Sequence, residues 1–547
     1  MATIDSNENR SSLSSINNNN SNIERSNIDV DDDNNKLNKF KPSWLIYVVA
    51  ICVESLSLSF GMTMGWTSIA GEELDTNFTT TNNNDHWKSP VFPNDIEKKL
   101  IASIWTLGSL FGGFSCGYLI DKFGRKKMLI LLGIPFGMAW LCIGFAHSSS
   151  IIIIGRVING IGLGISIPTI PLYIAEISTP NIRGYIGMSI GFFAVLGMLL
   201  INILNVMNFH WNHLGFIAIV PTTLMMIIMC FMPESPVWCI NFINDKNESI
   251  KQAEKNLRRL RSKNSDIQQE LDNFIEMKKS SDKMNNMVNQ SNHHHGLLKS
   301  LRRKDIYKPF IIAMVVMTFQ QFCGSSIIIY SMNDIFKNSG STLSAKQSSS
   351  ITNAIMLATI IIGGFSIDRF GRRILLIISG TAQALSIGTL GVYYYIHLST
   401  SNIQQSSSSI LPIICVSIFV SAYSFGIGPL CWIIIAEITP PQAVWLVMSS
   451  TSVYSSIGTF IMIFSTKTLF QLLKEYGTYW LFTVVNITIV IFGYFIPETK
   501  GRTIDEIGIG RIFTNISTSL SASSSTVRCS TASAQTSCIQ IVTILSI

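Results

Sequence analysis

Two adjacent amides, Gln320 and Gln321, stand in a stretch that is otherwise apolar from about residue 308 to 332. An indole, Trp432, follows the helix-breaking pair Gly428-Pro429 in a second such stretch. An amide surrounded by hydrocarbon is costly unless it has a partner, so paired amides signal either a bond between helices or a polar ligand. Amides beside an aromatic face suit a ligand rich in hydroxyls, because each buried unpaired hydroxyl costs about 1–3 kcal/mol. A lone Trp is as often an interface anchor, but Trp432 lies inside its apolar segment. Glu54 is a third polar group in an apolar block, where an unpaired charge costs roughly 2.5–3.5 kcal/mol. It is read as uncharged or paired inside a bundle, with coupling to protons as its functional alternative.

A second set gathers charge at the ends of apolar segments. Asp121 and Arg125 follow one segment, Asp368 and Arg372 another, and Glu176, Arg183, Glu234, Glu437, Glu498 and Arg502 close others. Carboxylates there can accept charge-assisted hydrogen bonds from guanidinium or backbone N–H groups, which makes the set a candidate latch at one membrane face. The plain alternative is that short basic loops only fix topology, but topology does not require carboxylates at equivalent places. His293, His294 and His295 are consecutive, so they do not converge on one ion and no metal site is expected. No phosphate-binding loop or nucleophile elbow appears, so neither catalytic residues nor a cofactor are expected. Eight of ten cysteines fall in or at the ends of apolar segments, which is no disulfide framework.

The elements that hold these groups are membrane spans. Of 547 residues, 47% are hydrophobic and only 13% charged. Apolar segments recur at about 44–69, 99–120, 128–146, 150–174, 184–206, 211–232, 308–332, 347–367, 374–398, 410–436, 443–466 and 478–496. Each approaches the ~20 residues needed to cross the hydrocarbon of a bilayer. The fold class expected is an all-α membrane protein of twelve transmembrane helices, arranged as two six-helix halves. The sequence divides into an Asn/Ser/Asp-rich tail expected to be disordered (1–42), an N-terminal half (43–232), a polar insert (233–307), a C-terminal half (308–507) and a Ser/Thr-rich tail (508–547). Within the insert Leu257, Leu260, Leu271 and Ile275 recur at helical spacing among charges, the mark of amphipathic helices at a membrane surface.

Lys122, Arg125, Lys126 and Lys127 follow the second segment, Arg183 the fourth, and Arg369, Arg372 and Arg373 the eighth, whereas the loops after segments three, five and nine hold no Lys or Arg. The bias predicts cytoplasmic termini and a cytoplasmic insert, and a plasma-membrane location is expected. The loop after the first segment is then extracellular, so its sequon at Asn77 is a glycosylation site. The basic residues cluster between helices rather than on one face, which argues against nucleic acid; the lipid bilayer is the expected partner, and no obligate protein partner is evident.

The halves repeat one another. Gly117-Tyr-Leu-Ile-Asp121-Lys-Phe-Gly124-Arg125 is matched by Gly364-Phe-Ser-Ile-Asp368-Arg-Phe-Gly371-Arg372, Ile174-Ala-Glu176-Ile177 by Ile435-Ala-Glu437-Ile438, and Pro233-Glu234-Ser235 by Pro497-Glu498-Thr499. With Gly155-Arg156 and its following glycines, Gln320-Gln321-Phe-Cys-Gly324, Gly426-Ile-Gly428-Pro429 and the Pro497–Ile507 phrase, the set resembles the sugar porter family of the major facilitator superfamily. Gly65-Trp66-Thr67-Ser68 is similar to facilitative carriers of the trehalose and glucose transporter group.

The resemblance implies facilitated diffusion of a small sugar, a hexose such as glucose or trehalose, by alternating access and without enzymatic chemistry. A non-transporting sugar sensor, a proton-coupled carrier and a carrier of another solute are the alternatives. It assigns substrate contact to Gln320, Gln321, Ser326 and Trp432, and a latch between the halves to Asp121, Arg125, Glu176, Arg183, Glu234, Asp368, Arg372, Glu437, Glu498 and Arg502. The family's helix-five glutamine aligns with Gly191, a helix-eight asparagine with Met356, and the helix-eleven Asn-Trp pair with Tyr454-Ser455-Ser456. Val237 and Val444 stand where latch arginines are usual, and Thr63 where proton symporters carry an aspartate, which favours uniport. Helix-four glycines are expected to permit close packing, and Arg156 to snorkel or join the latch.

Overall fold

The computed structural model describes residues 43–74, 91–243, 245–262, 267–291, 304–338, 343–399, 410–439 and 444–495. Asn77, His293 to His295, Glu498, Arg502 and both tails lie outside them. The N-terminal half comprises α1 (Trp44–Glu73), α2 (Asp95–Phe123), α3 (Arg125–Gly144), α4 (Ser149–Ile177), α5 (Pro180–Val206) and α6 (Trp211–Phe231). The insert supplies α7 (Pro236–Phe242), α8 (Lys246–Leu260) and α9 (Ile267–Ser291). The C-terminal half follows with α10 (Lys304–Phe322), α11 (Ser325–Tyr330), α12 (Met332–Asn338), α13 (Ala345–Phe370), α14 (Arg372–Ser399), α15 (Leu411–Phe425), α16 (Ile427–Ile438) and α17 (Val444–Phe495).

Counting α10 to α12 as one broken span, α15 and α16 as another, and α17 as two arms joined at Lys474 (φ 58°), the chain crosses the membrane twelve times. These helices are apolar nearly all round. Phe111, Phe114, Ile134, Met138, Leu224 and Ile227 point outward and are exposed, as they are when hydrocarbon rather than water surrounds the bundle.

The repeat read in the sequence is a repeat of geometry. Gly124 (φ 88°, ψ 163°) joins α2 to α3, and Gly371 (φ 85°, ψ 163°) joins α13 to α14. This left-handed conformation suits only glycine, and each turn places an arginine at the first position of the next helix. Close packing of α4 on α2 also rests on glycine. A Cβ at Gly160 would stand 1.9 Å from the Trp105 carbonyl oxygen, and one at Gly164 2.0 Å from that of Ser109.

Within the N-terminal half α1 packs on α5 and α6, and α4 on α2 and α3; within the C-terminal half α14 and α10 pack on α17, and α13 on α15. The halves meet where α2 touches α17, α5 touches α13, and α1 touches α11 and α12. Leu257, Leu260 and Leu271 of the insert are buried, and Ile275 half-buried, as the spacing predicts. Arg261 fixes the insert by donating to the Ile177 carbonyl at 2.8 Å while pairing with Glu270 at 2.6 Å, and the Trp238 indole donates to the Asp121 carbonyl at 3.0 Å.

Candidate functional site

The two amides sit side by side but spend themselves differently. Gln320 Nε2 donates to the Gly428 carbonyl at 2.7 Å, binding α10 to the break between α15 and α16. That break arises because Gly426 approaches α14 so closely that a Cβ would stand 2.3 Å from Ser379 Cβ, and Pro429 cannot supply an N–H to continue the ladder. Ser379 Oγ accepts from Ile427 N at 3.1 Å, a donor the break leaves over, and donates at 2.7 Å to the Ala422 carbonyl, which also accepts from Gly426 N. Trp432 follows one turn later, half-buried against the C-terminal core.

Gln321 turns toward α17. Its Nε2 donates to Ser455 Oγ at 2.7 Å, and its Oε1 accepts from Thr459 Oγ1 at 2.7 Å. Tyr454 OH lies 2.8 Å from Thr318 Oγ1, and Ser456 Oγ lies 3.0 Å from Ser109 Oγ of the opposite half. The hydroxyls of Tyr454-Ser455-Ser456 therefore occupy the seam at positions where the resembled family has an amide and an indole. A polar wall persists with different chemistry. Gly191, in contrast, lies against Ile360, whose Cδ1 would stand 3.1 Å from a Cβ. Met356 is buried and apolar, and Ser326 is half-buried on α11.

Two seam residues escaped the sequence reading. Trp105 of α2 lies between Phe60 (6.2 Å between ring centroids) and Tyr330 of α11 (6.1 Å). Its indole N–H and the Tyr330 hydroxyl are buried with no hydrogen-bond partner among the described residues. Each is a donor held ready in an apolar setting. The signal available in the sequence was weak, because aromatic residues abound in apolar segments.

Glu54 is fully buried between α1 and α5, and Ser189 Oγ donates to its Oε1 at 2.9 Å. Thr63, the position of the symporter aspartate, donates to the Ser59 carbonyl at 2.9 Å. Arg156 overturns its expectation of snorkelling or joining the latch. It is fully buried, donating to the Ile101 carbonyl at 3.0 Å, the Thr63 carbonyl at 3.4 Å and Thr67 Oγ1 at 2.5 Å, with its guanidinium 5.1 Å from the Trp66 ring. Three oxygens and an aromatic face solvate the charge inside the bundle, so it has no need to reach the interface.

At the end bearing the insert, Arg125 donates to Glu176 at 2.9 Å and to Asp121 at 3.4 Å, all within the N-terminal half. Glu234 accepts from Lys126 N at 3.0 Å and Ser235 N at 2.9 Å, and burial pushes its carboxyl above the ordinary range despite these donors. Arg372 donates to Glu437 at 2.8 Å within the C-terminal half. The side chains of Arg183 and Asp368 lie outside the description. At the opposite end the halves are joined: Asn333 N donates to Ser68 Oγ at 3.3 Å, Lys99 Nζ to Thr468 Oγ1 at 3.1 Å, and Lys346 Nζ lies 3.9 Å from Glu73. A separate apolar cavity of about 590 Å³ lies among α13, α14 and α15, lined by Ile355, Ile378, Ile414 and Phe425. It faces outward and holds none of the expected substrate residues.

A family sequence model described as "Sugar (and other) transporter" matches residues 49–510. The chain is 29% identical over 462 residues to a facilitated trehalose transporter of Apis mellifera ligustica, covering 84% of this chain and 87% of that protein. It is 29% identical over 465 residues to a facilitated trehalose transporter of Bombyx mori, covering 85% and 86%. Among solved structures it is similar to the inward-open conformation of the xylose transporter XylE from E. coli, with a TM-score of 0.65 and 20% identity over 84% of this chain and 99% of that one. The same protein bound to 6-bromo-6-deoxy-D-glucose gives a TM-score of 0.64 at 21% identity, over 84% of this chain and 98% of that one. These solved structures share its fold.

Proposed function

The chain belongs to the sugar transporter family of the major facilitator superfamily, and from that premise we propose that it carries trehalose or a hexose down its gradient by alternating access. One observation carries the reading most: the cluster of Gln321, Ser455 and Thr459 beside the broken helix that Gln320 braces and that presents Trp432. It offers amide and hydroxyl groups of both senses at the seam between the halves. A ligand rich in hydroxyls can exchange bonds with such a wall without leaving polar groups unpaired. Ser326, Trp105 and Tyr330 are the further contacts proposed.

The insert end is taken as cytoplasmic on the basic loops, with both termini on that side, the sequon at Asn77 on the other, and the plasma membrane as location. On that assignment the structure is closed toward the outside. Ion pairs inside each half at the cytoplasmic end, Arg125–Glu176 and Arg372–Glu437, then leave those groups poised to meet the opposite half when the cytoplasmic end shuts. Asp121, Arg183, Glu234, Asp368, Glu498 and Arg502 complete the proposed latch.

Uniport is supported by Thr63, which offers no titratable group beside Arg156. The test is uptake of labelled trehalose and hexoses into proteoliposomes, with and without an inward proton gradient. Saturable uptake that ignores the gradient, in the native chain and in Glu54→Gln alike, is expected. Folded, inserted protein that moves no sugar overturns the carrier reading, and gradient-driven uptake lost in Glu54→Gln overturns uniport.

A further inference from the structure

The last turn of α1 buries two adjacent carboxylates at the membrane face opposite the insert. Glu72 is 6% exposed and Glu73 1%. Glu73 Oε2 accepts from Trp211 N at 3.0 Å, while its Oε1 lies 3.7 Å from His210 Nδ1 and 3.9 Å from Lys346 Nζ. Trp211 and His210 belong to the N-terminal half, as Glu73 does. Lys346 opens α13 in the C-terminal half. Glu72 sits within the electrostatic reach of Lys337 and Asp334 on α12 and of Lys346. One turn below, Asn333 N donates to Ser68 Oγ and Asn333 Oδ1 accepts from Ser349, so α1, α12 and α13 are pinned at a second level.

This pairing differs from those at the insert end. Arg125–Glu176 and Arg372–Glu437 each stay inside one half, whereas Glu73–Lys346 spans the two. A carboxylate this buried pays a large desolvation cost, which opposite charge and hydrogen bonds must offset. The backbone N–H of Trp211 supplies one donor and moves with α1. Lys346 is the part of the compensation that depends on the halves being together. When they separate at this face, water replaces it.

We propose that Glu73 of α1 and Lys346 of α13 form an ion lock that holds the carrier closed at the face opposite the insert. The sequon side of the protein is therefore gated by charge, and the position of the rocking equilibrium depends on Lys346. Removing the Lys346 charge leaves Glu73 buried with only the Trp211 N–H and His210 beside it, which raises the free energy of the closed arrangement and leaves the open, hydrated one little changed. Opening at this face becomes more frequent.

The inference rests on the reading of the two halves as moving parts, and its readout is labelling rather than uptake, so failure of sugar transport leaves the test intact. A cysteine replaces Ser109, which is 5% exposed at the seam and meets Ser456 of the other half. A membrane-impermeant maleimide is applied from the face opposite the insert, with the parent chain as background. Lys346→Gln is expected to raise the labelling rate about fivefold, and Lys346→Arg to leave it at the parent value. In Glu73→Gln, adding Lys346→Gln is expected to change nothing further, because the partner charge is gone. Unchanged labelling in Lys346→Gln, or an effect of the same size with Glu73 already neutral, overturns the lock. If Glu73→Gln does not fold, the contrast between Lys346→Gln and Lys346→Arg decides: equal labelling in the two refutes it.

Discussion

Replacing Gln321 by methionine removes both polar atoms while keeping most of the volume, which matters because a Cβ at Gly458 would already be 3.0 Å from Gln321 Cγ. In the closed arrangement the amide bonds Ser455 and Thr459. Both hydroxyls lie on α17 and can turn to the carbonyls four residues back, as Thr451, Ser456 and Thr466 of the same helix already do. The stability cost should therefore stay near 1 kcal/mol or below. Sugar binding is affected differently. An amide that meets a ligand through one N–H and one oxygen contributes roughly 1–3 kcal/mol, but it must first release Ser455 and Thr459, so about one net bond, ~1 kcal/mol, separates native from variant. That predicts a KM about fivefold higher in Gln321→Met, read by initial rates of labelled sugar uptake in proteoliposomes, with thermal stability in detergent close to native. Gln320→Met makes the contrast. It strands the Gly428 carbonyl at the helix break, so its effect should be a lower melting temperature at nearly native KM. Native KM in Gln321→Met for every transported sugar, or a raised KM confined to Gln320→Met, would refute this division of labour.

Arg125→Ala should destabilise the N-terminal half by about 3–5 kcal/mol, because Glu176, its side chain only 10% exposed, is left without its bidentate partner; the double change Arg125→Met, Glu176→Met should recover most of the melting temperature. A double variant as unstable as the single one would show that the pair is not what the cost reflects. Burial pushes the Cys239 thiol up to about 12, so only a trace is thiolate at pH 7 to 9 and alkylation by iodoacetamide should be slow throughout, climbing about tenfold per pH unit with no levelling by pH 9, where an ordinary cysteine is already mostly thiolate. Mass spectrometry of the modified chain checks this, with the exposed Cys230 modified before Cys239. Rapid modification of Cys239 at pH 8 would mean that α7 and α8 leave the membrane bundle far more often than their packing implies.

Much of the architecture follows from local chemistry. Spans are written in runs of apolar residues, because hydrocarbon tolerates no unpaired backbone and leaves the helix as the local solution. The two halves are written in the Gly-Asp-Gly-Arg phrases, because Gly124 and Gly371 need a positive φ that few residues accept. The amphipathic insert is written in Leu257 and Leu260 of α8 and in Leu271 and Ile275 of α9, each pair spaced to share one face of its helix. Breaks inside spans were less legible. At Gly324 a φ of 92° and Phe482, whose Cγ would stand 2.6 Å from a Cβ, each call for glycine.

What the sequence by itself determined is therefore the solvent, the span count, the repeat and the residue types of the site. Partnership was decided by tertiary structure, since it depends on which helix faces which across the seam. Gln320 and Gln321 are neighbours in sequence, but a helix turns about 100° per residue, so one bonds the broken helix and the other bonds α17. Arg156 reads as an interfacial cation until Thr63, Thr67 and Ile101, far away in sequence, are folded around it. Glu73 and Lys346 lie on different halves, and only their packing turns two ordinary helix-end charges into a contact between them.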